Sequence, residues 1–589
     1  LYKPIPRDRD WSFNQMNGII PSIIQSRWVL PKFQHFRPEF GILRGLNGAG
    51  LPLDRRFTST LTESDWRTIG DDMERAVTDA SIQASLDALP AQIKPMYEQE
   101  FSSTLKSRRS QLGDIGAEYY SLLAALVDVV GSDKHEQFLV ESFGDSLLVI
   151  MNKTKKDGEV LQELYRRTFY RSETEEIRLY GLGGHDRFEL SGAADLGIRV
   201  YAVGGPGEDE YTDRSLGSTS GGWYVRDTSG TERFTSGRST RDQITDDPAV
   251  LTYDSQRYWF EILLPKIILS SNEQDGLVLG GGVTHTSNVF HRSTYSTRHD
   301  IALWYAARSR ALAVQYDGWF NERIGKWGLE THFLGEMEGT MRSFYGFGSD
   351  SRAPVSNKAF YRSEFEGFSW DVGLFRDLGK GLTWNVGTFL ESTHLDDSGE
   401  SYATLPESGL GDQIFDQQIH TGLSAKLTAD GRDNKVVPRT GFLFKSGVRS
   451  RLGLAEGNGN YTSFSSNLQV YFTPLVDGKT TLATSIGWEH VTGDFQFFHS
   501  AVLGDQNGLR GWRRNRFSGN SAFYQNVEIR HGLFEFANML TAGQAGVLAF
   551  FDNGSVFYDG DDTNVWHQGY GGGAWFNVFD MAIFQITVA

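Results

Sequence analysis

The chain has 589 residues, a net charge of −17 and no cysteine. This length accommodates two or more domains, the absence of thiols excludes disulfides, thiolate metal sites and cysteine nucleophiles, and the negative charge disfavours non-specific binding to nucleic acid. The 66 glycines and 40 phenylalanines favour a membrane β-barrel over a soluble enzyme. No apolar run approaches the ~20 residues that a membrane helix needs, so the chain can cross a bilayer only as a closed barrel.

The first residues, LYKPIPRDRD, contain neither an initiator methionine nor a signal peptide. Because an exported barrel needs a signal sequence, we expect Leu1 to be an internal residue of a longer protein. Asp8 and Asp10 faintly resemble the metal-binding acidic segment of spore-coat-type kinases, in which either would bind a phosphate-bound magnesium ion. A salt-bridged loop at a domain edge is the plainer interpretation of these two residues.

Residues 1–130 are predicted to form a helical soluble region that is part of a larger N-terminal domain. Thr62, followed by acidic residues, predicts one helix start, and Asp79 can cap a second helix. From Pro95 a long helical run follows, with an apolar stripe at spacings of four, three and four residues: Ile115, Tyr119, Leu122 and Leu126. Such a stripe is typical of a helix that packs inside a soluble domain.

Residues 131–250 change to the pattern of a β-rich segment. A hairpin is predicted around Phe143-Gly144-Asp145. Further on, the strand-like sequence IRLY at 177–180 precedes a glycine-rich turn, and the similar IRVY at 198–201 precedes another. A strand and a glycine turn repeated at a near-constant offset predict a small solenoid.

The same repeat contains two candidate calcium ligands, Asp186 and Asp209. Residues 204–212 fit the calcium β-roll nonapeptide GGxGxDxUx, and residues 181–189 fit it except at Leu182. In such rolls, carboxylates and carbonyls from stacked turns hold a hard cation. The alternative is that the glycines turn the solenoid rungs and the aspartates cap those turns, because calcium rolls need several contiguous nonapeptides. Calcium therefore remains open as a ligand, and no cofactor is required.

Residues 256–589 show alternating apolar and polar positions, which is the pattern of a transmembrane β-barrel. Residues 464–472 place Phe464, Leu468 and Val470 on one face and polar residues on the other. About fifteen such strands can be traced, and bacterial single-chain barrels have an even number. The predicted fold is therefore mainly β, an antiparallel barrel with an even number of strands after an α+β region. The longest loops are predicted at 341–358, 393–414 and 493–520.

Two motifs near the end of the chain predict a contact across the barrel. Residues 509–512 read LRGW, and residues 550–554 read FFDNG. Asp552 stands in an otherwise apolar strand, and an unpaired buried charge is very costly. Arg510 is the obvious positive partner, and a guanidinium can hold a carboxylate through two parallel hydrogen bonds.

These motifs, in this order, resemble those of the outer-membrane barrel-assembly superfamily, the BamA/TamA-like or bacterial surface antigen proteins. The resemblance implies that the sixth extracellular loop folds into the lumen, where Arg510, Gly511 and Trp512 meet Asp552 and Gly554 on the wall. Trp512 replaces the usual phenylalanine or tyrosine and stays aromatic. The DGRDN block at 430–434 and the FYGFG element at 344–348 resemble further family segments.

The resemblance implies sixteen strands, with a terminal aromatic that Ala589 lacks, so we expect the closing strand beyond the given sequence. It implies a bacterial outer-membrane protein with a periplasmic N-terminal region, which inserts or translocates proteins through a lateral seam. The expected partners are outer-membrane lipids, lipopolysaccharide and client or partner envelope proteins, without nucleic acid. The usual βααββ periplasmic modules are not evident, which weakens the transfer of the insertase function.

Two other function classes stay open at this point. The barrel can be a closed anchor that organises partner proteins in an envelope complex, and a fully paired seam would favour that interpretation. Alternatively, an enzyme of phosphoesterase or kinase type can be tethered to the barrel, with its active site upstream of Leu1 or around Asp8 and Asp10. No covalent chemistry is predicted for the barrel itself.

Overall fold

The computed structural model describes residues 31–589, together with Phe13, Gln15 and Gln25. Short gaps in this description fall at 193–196, 217–221, 229–231, 236–239, 243, 246–247, 256–260, 273, 289, 291–294, 398, 475–477, 506, 538–541, 562–564 and 579–581. Asp8 and Asp10 lie outside the described residues, so the magnesium hypothesis stays a prediction. Among the described residues, no helix has the length and hydropathy to span a membrane.

The chain divides into two compact units. The first unit contains residues 1–260 and 288–294, and the second contains residues 261–287 and 295–589. The helical segment and the solenoid segment both belong to the first unit. The predicted division of this part into two domains stays a prediction.

The first unit begins with α-helices at Leu43–Leu46, Leu51–Phe57, Glu63–Ala76, Asp79–Asp87, Lys94–Arg109 and Leu112–Ala124, and a further short helix spans Pro248–Leu251. Thr62 caps the third helix, because its side chain accepts the N–H of Asp65 and its own N–H donates to the Asp65 carboxylate. The predicted cap at Asp79 is wrong: Thr78 accepts the N–H of Ser81 and caps that helix. A threonine hydroxyl one residue earlier satisfies the same free N–H group.

The predicted apolar stripe packs inside the helical part. Tyr119 is buried with Leu43, Leu51 and Leu123, and Ile115 packs against this cluster. The Tyr119 hydroxyl also donates to the Asp54 carboxylate at 2.6 Å. Leu126, the last residue of the stripe, opens the first strand instead of continuing the helix.

Eleven strands follow: β1 Leu126–Val130, β2 His135–Phe143, β3 Ser146–Thr154, β4 Val160–Tyr170, β5 Glu176–Tyr180, β6 Arg187–Gly192, β7 Arg199–Val203, β8 Asp209–Asp213, β9 Trp223–Arg226, β10 Glu232–Thr235 and β11 Thr240–Asp242. They form two sheets, in the orders β1-β5-β7-β9-β11 and β10-β8-β6-β2-β3-β4. Each rung pairs in parallel with the next. The predicted solenoid and the predicted β2–β3 hairpin are confirmed.

Stacked side chains fill the solenoid. Phe138, Phe188 and Tyr211 occupy equivalent positions on successive rungs, with ring centroids 4.7 and 5.1 Å apart. Ile177, Val200 and Trp223 form a second buried ladder on the facing sheet. A repeat that places one aromatic above another buries a continuous core that a single rung cannot provide.

The second unit is built on one large antiparallel sheet. Its strands are β12 Ile262–Asn272, β13 Gly276–Ser287, β14 Thr297–Ala306, β15 Leu312–Ile324, β16 Trp327–Ser343, β17 Arg362–Asp377, β18 Leu382–Leu395, β19 Gln418–Asp430, β20 Gly441–Gly453, β21 Tyr461–Phe472, β22 Thr480–Gly493, β23 Ala501–Leu503, β24 Phe517–Gly519, β25 Ser521–Ala537, β26 Ala542–Phe557, β27 His567–Val578 and β28 Ala582–Val588. All except the separate β23–β24 pair join it, in chain order.

The described part of this sheet has fifteen strands. The mainly β fold with a large antiparallel sheet after an α+β region is confirmed, and the sixteenth strand stays a prediction. The sheet is curved, because side chains reach past neighbouring strands on one face: Asn467 of β21 donates to the Tyr524 hydroxyl of β25, two strands away, and Arg439, in the loop before β20, donates to Gln544 of β26.

The alternating pattern sorts the side chains of each strand by polarity. In β21, the large apolar side chains of Phe464, Leu468 and Val470 are exposed on the outer face. On the opposite face, the Tyr471 hydroxyl donates to Gln469 at 2.7 Å, and Gln469 donates to Asn467 at 3.1 Å. The polar side chains of the inner face therefore satisfy one another.

The loops at 344–361, 396–417 and 494–520 all lie at one end of the sheet, here named the long-loop end. They share a hydrophobic core of Phe344, Phe365, Leu395, Ala403, Ile414 and Phe497. Phe344 and Phe347 of the predicted FYGFG element pack in this core, 5.1 Å apart. The loops at this end therefore form an ordered layer.

Candidate functional site

Loop 494–520 carries a short hairpin in which β23 and β24 pair. The residues between them, 504–516, form its tip. Leu509 of the tip is fully buried with Phe517, Ala522 and Val556. An apolar anchor beside Arg510 therefore fixes where the tip meets the barrel wall.

The tip can reach the wall only because glycine stands at key positions. Gly508 has φ +80°, and a Cβ at that position would lie 2.4 Å from the Cγ of Tyr524. On the wall, a Cβ at Gly569 would lie 2.0 Å from the carbonyl oxygen of Arg510. Any larger residue at Gly508 or Gly569 would push the two backbones apart.

Arg510 and Asp552 meet through three hydrogen bonds. The Arg510 Nε and backbone N–H donate to Oδ2 of Asp552 at 2.8 and 2.9 Å, and Nη2 donates to Oδ1 at 2.8 Å. The Asp552 side chain is 0% exposed. Charge-assisted bonds of this kind are roughly twice as strong as neutral ones, and they compensate the burial of the carboxylate.

Glu528 extends the pair into a network of four charges. Its Oε2 accepts Arg510 Nη1 at 2.6 Å, and its Oε1 accepts Arg530 Nε at 2.6 Å. The Arg510 guanidinium also lies 3.7 Å from the ring centroid of Phe550. Two guanidiniums thus balance two carboxylates, and an aromatic face covers one of them.

The remaining predicted site residues lie around this network. The Trp512 Nε1–H donates to the carbonyl oxygen of Gln568 at 2.9 Å. Gly511 has φ +88°. A Cβ at Gly554 would lie 3.0 Å from Leu503 of β23. The structure therefore brings Arg510, Trp512, Asp552 and Gly554 together where the loop meets the wall.

Sequence reasoning missed Glu528, Phe550 and Gly569. Their signal was present in the register, because Glu528 lies opposite Phe550 and Asn526 lies opposite Asp552. Side chains two residues apart on a strand share a face, so a charged residue two positions after Asn526 projects beside Asp552. The partner strand of β26 had to be known before this could be used.

The DGRDN block stabilises a turn. Arg432 Nε and Nη2 donate to the two oxygens of Asp430, each at 2.8 Å. The Asp433 carboxylate accepts the backbone N–H groups of Arg439 and Thr440 at 2.9 and 3.1 Å. The block therefore closes the β19–β20 connection, as a polar turn ahead of a strand requires.

Asp186 and Asp209 lie inside the solenoid and are 0% and 1% exposed. Oδ1 of Asp186 accepts the N–H of Glu136 at 2.8 Å, and Oδ1 of Asp209 accepts the N–H of Asp186 at 2.9 Å. Each carboxyl group therefore binds the backbone of a neighbouring rung. Gly181 and Gly204 leave room for them, because a Cβ at either would lie 2.2 Å from a carboxyl oxygen.

Burial raises the pKa of Asp186 to about 9 and that of Asp209 to about 7. Desolvation is the largest cause in both cases, since it penalises the charged form. Neither residue belongs to a group of three or more candidate metal-ligating side chains among the described residues. The geometry supports a structural role for both aspartates, and calcium binding there stays a prediction.

Comparison with known proteins bears on the barrel part of the chain. Residues 336–573 match the family model described as the Omp85 superfamily domain. This range contains Arg510 and Asp552, the residues of the two motifs that carried the resemblance, and the resemblance to this superfamily is confirmed. No curated protein matches the chain significantly.

Several solved structures are similar to the chain. BamA from Haemophilus ducreyi lacking POTRA domains 1–3 has 13% sequence identity and a TM-score of 0.39, over 55% of this chain and 69% of that chain. CdiB from Escherichia coli has 12% identity and a TM-score of 0.37, over 54% of this chain and 56% of that chain. CdiB from Acinetobacter baumannii has 13% identity and a TM-score of 0.33, over 56% of each chain.

Proposed function

We propose that this chain, which carries an Omp85 superfamily domain at residues 336–573, inserts or translocates proteins at the bacterial outer membrane through a lateral seam. Strand β12 would form one side of the seam, and the closing strand of the barrel would form the other. Its first unit would lie in the periplasm, and its partners would be membrane lipids, lipopolysaccharide and client or partner envelope proteins. The observation that carries the proposal is the contact of Arg510 with Asp552, which lies within the residues that match the Omp85 superfamily domain.

The outer face of the sheet supports a membrane location. Large apolar side chains are exposed on strand after strand, among them Leu279, Leu303, Leu423, Phe464, Ile486 and Val547. Exposed apolar surface of this extent is rare on soluble monomers and marks contact with a membrane or a partner. Hydrocarbon lipid tails would cover it at no cost in hydrogen bonding.

The first strand of the sheet would provide one edge of the seam. Within the described residues β12 pairs along its length with β13. Its outward side chain Ile267 is 83% exposed. An unpaired strand edge is a template for another strand, and in lipid its backbone groups must find partners. A client strand would supply them.

The loop-to-wall site supports a stable lumen beside a mobile seam. Arg510 joins the tip to Asp552 of β26 and Glu528 of β25, which lie towards the end of the sheet opposite β12. We therefore propose that these residues fix the tip inside the barrel. The wall then keeps its shape while the seam opens.

The absence of cysteine makes a direct test of the seam possible. Pairs of cysteines, one on β12 and one on the closing strand of the full-length protein, would lock the seam when oxidised. Locking is expected to lower the amounts of other outer-membrane barrels or secreted clients, as depletion of the protein should, and reduction should restore them. A cysteine pair at the opposed residues Val283 and Ile301 of β13 and β14 is the matched control.

The outcome separates the proposal from its alternatives. If a locked seam leaves client amounts unchanged while depletion still disturbs the envelope, the barrel acts as an anchor for partner proteins. If depletion changes neither the client amounts nor the envelope, the proposals of insertion and of translocation are both wrong. A tethered enzyme is tested separately by phosphatase and kinase assays on the full-length protein.

A further inference from the structure

Glu391, His420 and His499 meet at the long-loop end, away from the Arg510–Asp552 site. Glu391 of β18 lies directly opposite His420 of β19 in the register, so their side chains share one face. His499 ends the 3-10 helix Phe497–His499, at the root of loop 494–520. One candidate ligand atom from each residue lies within 4.8 Å of the other two.

The His420 ring presents a free lone pair to this cluster. Its Nε2 lies 3.2 Å from the carbonyl oxygen of Gly459. A carbonyl oxygen only accepts hydrogen bonds, so Nε2 carries the proton and Nδ1 does not. Nδ1 has no hydrogen-bond partner, and the side chain is 2% exposed. A backbone carbonyl that holds one ring nitrogen is the usual support of a metal-ligating histidine.

His499 is held in place by aromatic neighbours. Its ring stacks on Tyr461 with centroids 4.9 Å apart, and it stands nearly perpendicular to the His420 ring at 5.5 Å. Its Nδ1 is buried and also has no hydrogen-bond partner. Two buried imidazole nitrogens without partners are unusual in a folded protein, since nearly all buried polar atoms are paired.

Glu391 is oriented by two arginines. Arg451 Nε donates to Oε1 at 2.5 Å, and Arg449 Nη2 donates to Oε2 at 2.9 Å. The Tyr461 hydroxyl also donates to Oε1, at 3.5 Å. Each carboxylate oxygen has two lone pairs, so Oε2, with Arg449 as its one donor, can still accept a metal ion. The guanidiniums therefore fix the carboxylate in position without exhausting its acceptor capacity.

The charges around the cluster decide which cation it suits. Arg449 also donates to Asp371 at 2.5 Å, so the two arginines offset the charges of Glu391 and Asp371. Calcium and magnesium ions prefer sites with many oxygen ligands, which this cluster lacks. Two imidazoles and one carboxylate suit a divalent transition metal such as zinc.

We propose that Glu391, His420 and His499 bind a divalent transition metal ion, with Zn²⁺ as the representative ion. The metal would join the root of loop 494–520 to strands β18 and β19. Three protein ligands leave one tetrahedral position for water. This site does not depend on the function proposed for the seam.

The position of His499 gives the site a consequence for the loop. The same loop holds Arg510 in its tip, eleven residues after His499 in the chain. The metal would hold the loop at its root, and the Arg510–Asp552 contact holds it at its tip. Metal binding therefore orders the residues between the two attachments.

The test is zinc titration of the full chain, purified in detergent without a histidine tag, by isothermal calorimetry with zinc chloride. One zinc ion per chain is expected, and His499→Ala and His420→Ala should each lower the affinity at least about 10-fold, the size of effect seen even for supporting residues of metal sites. His285→Ala is the matched control, because it disrupts another histidine pair, with ring centroids 6.1 Å apart, and should leave the affinity unchanged.

A second measurement guards against misfolded variants. His499→Gln and His420→Gln keep a polar side chain, and heat-dependent migration in SDS gels reports whether the barrel has folded. Zinc should slow protease cleavage around residues 494–500 in the unmodified chain and in His285→Ala, and should have no effect in folded His499→Gln. Absence of stoichiometric zinc binding, or binding that survives both His420 and His499 substitutions, would overturn the proposal.

Discussion

The solenoid and the barrel both bury aspartates completely, and they stabilise them in opposite ways. Asp552 of the barrel accepts three hydrogen bonds from Arg510. Asp186 of the solenoid accepts a backbone N–H group, and burial raises its pKa to about 9. The two carboxyl groups are equally buried, and they differ in whether a cationic side chain contacts them.

The largest expected effect comes from removing the positive partner in the barrel. Arg510→Ala leaves Asp552 buried without a counter-charge, and breaking such a pair typically costs 3–5 kcal/mol. The tip should leave the wall, so loop 494–520 should become sensitive to protease added to intact cells. Arg510→Lys is the matched control. It keeps the positive charge but not the paired N–H donors of the guanidinium, so loop 494–520 should be less sensitive to protease than in Arg510→Ala.

An unchanged digestion pattern for Arg510→Ala would show that the ion pair does not hold the tip. The double variant Arg510→Ala/Asp552→Asn sharpens the comparison. It removes the stranded charge, so the thermal unfolding temperature in detergent should recover part of the loss. If the unfolding temperature does not recover, the loss of stability comes from the packing of the Arg510 side chain over Phe550.

The next effect contrasts the same substitution in the two units. Asp552→Asn removes charge-assisted bonds from Arg510 and should cost about 1–3 kcal/mol. Asp186→Asn keeps an oxygen that accepts the Glu136 N–H, and it removes a group that has to take up a proton when the chain folds at pH 7, so the free energy of unfolding is expected to rise. Urea unfolding of the full chain, with digestion of each unit monitored at every urea concentration, measures both. A loss for Asp186→Asn as large as that for Asp552→Asn would contradict this contrast.

A further contrast between the two units is a pH dependence that arises from Asp186 of the solenoid. Below about pH 4, Asp186 is protonated in both folded and unfolded chains. Between its ordinary pKa of 3.8 and its folded pKa of about 9, only the folded chain holds the proton. The contribution of Asp186 to the free energy of unfolding therefore falls as pH rises through this range. Asp186→Asn should flatten the profile.

Calcium binding by the solenoid can be tested in the same unfolding experiment. If Asp186 and Asp209 bind this ion, millimolar calcium chloride should stabilise the first unit at pH 8, where the carboxyl groups can ionise towards a cation. Asp186→Asn should abolish that effect. An unchanged unfolding midpoint with calcium would leave the two aspartates as supports of the rung backbone.

The sequence predicted the parts of the fold that local patterns encode. Alternating residues such as those of 464–472 mark a strand wherever it lies, because side chains alternate between the two faces of a sheet. The repeated IRLY and IRVY segments predicted solenoid rungs, because a strand followed by a glycine turn recurs at a near-constant offset. The cap at Asp79 was predicted one residue too late, because threonine and aspartate serve equally well at such a position.

The candidate site was predictable in part. The order of the LRGW and FFDNG motifs and the cost of burying Asp552 were enough to pair Arg510 with Asp552. Glu528 could not be placed, because its position depends on the register between β25 and β26. The cluster of Glu391, His420 and His499 gave no signal at all, since its members lie far apart in the sequence and carry no shared motif.

The sequence by itself determined the strands, the rungs and the two residues that join loop and wall, because each is written in local periodicity or in a charge that requires a partner. Only the tertiary structure decided which groups contact each buried carboxyl group and which residues gather at the long-loop end. Those properties depend on strand register, on the curl of the sheet and on burial, and each of these brings together residues that no local pattern connects.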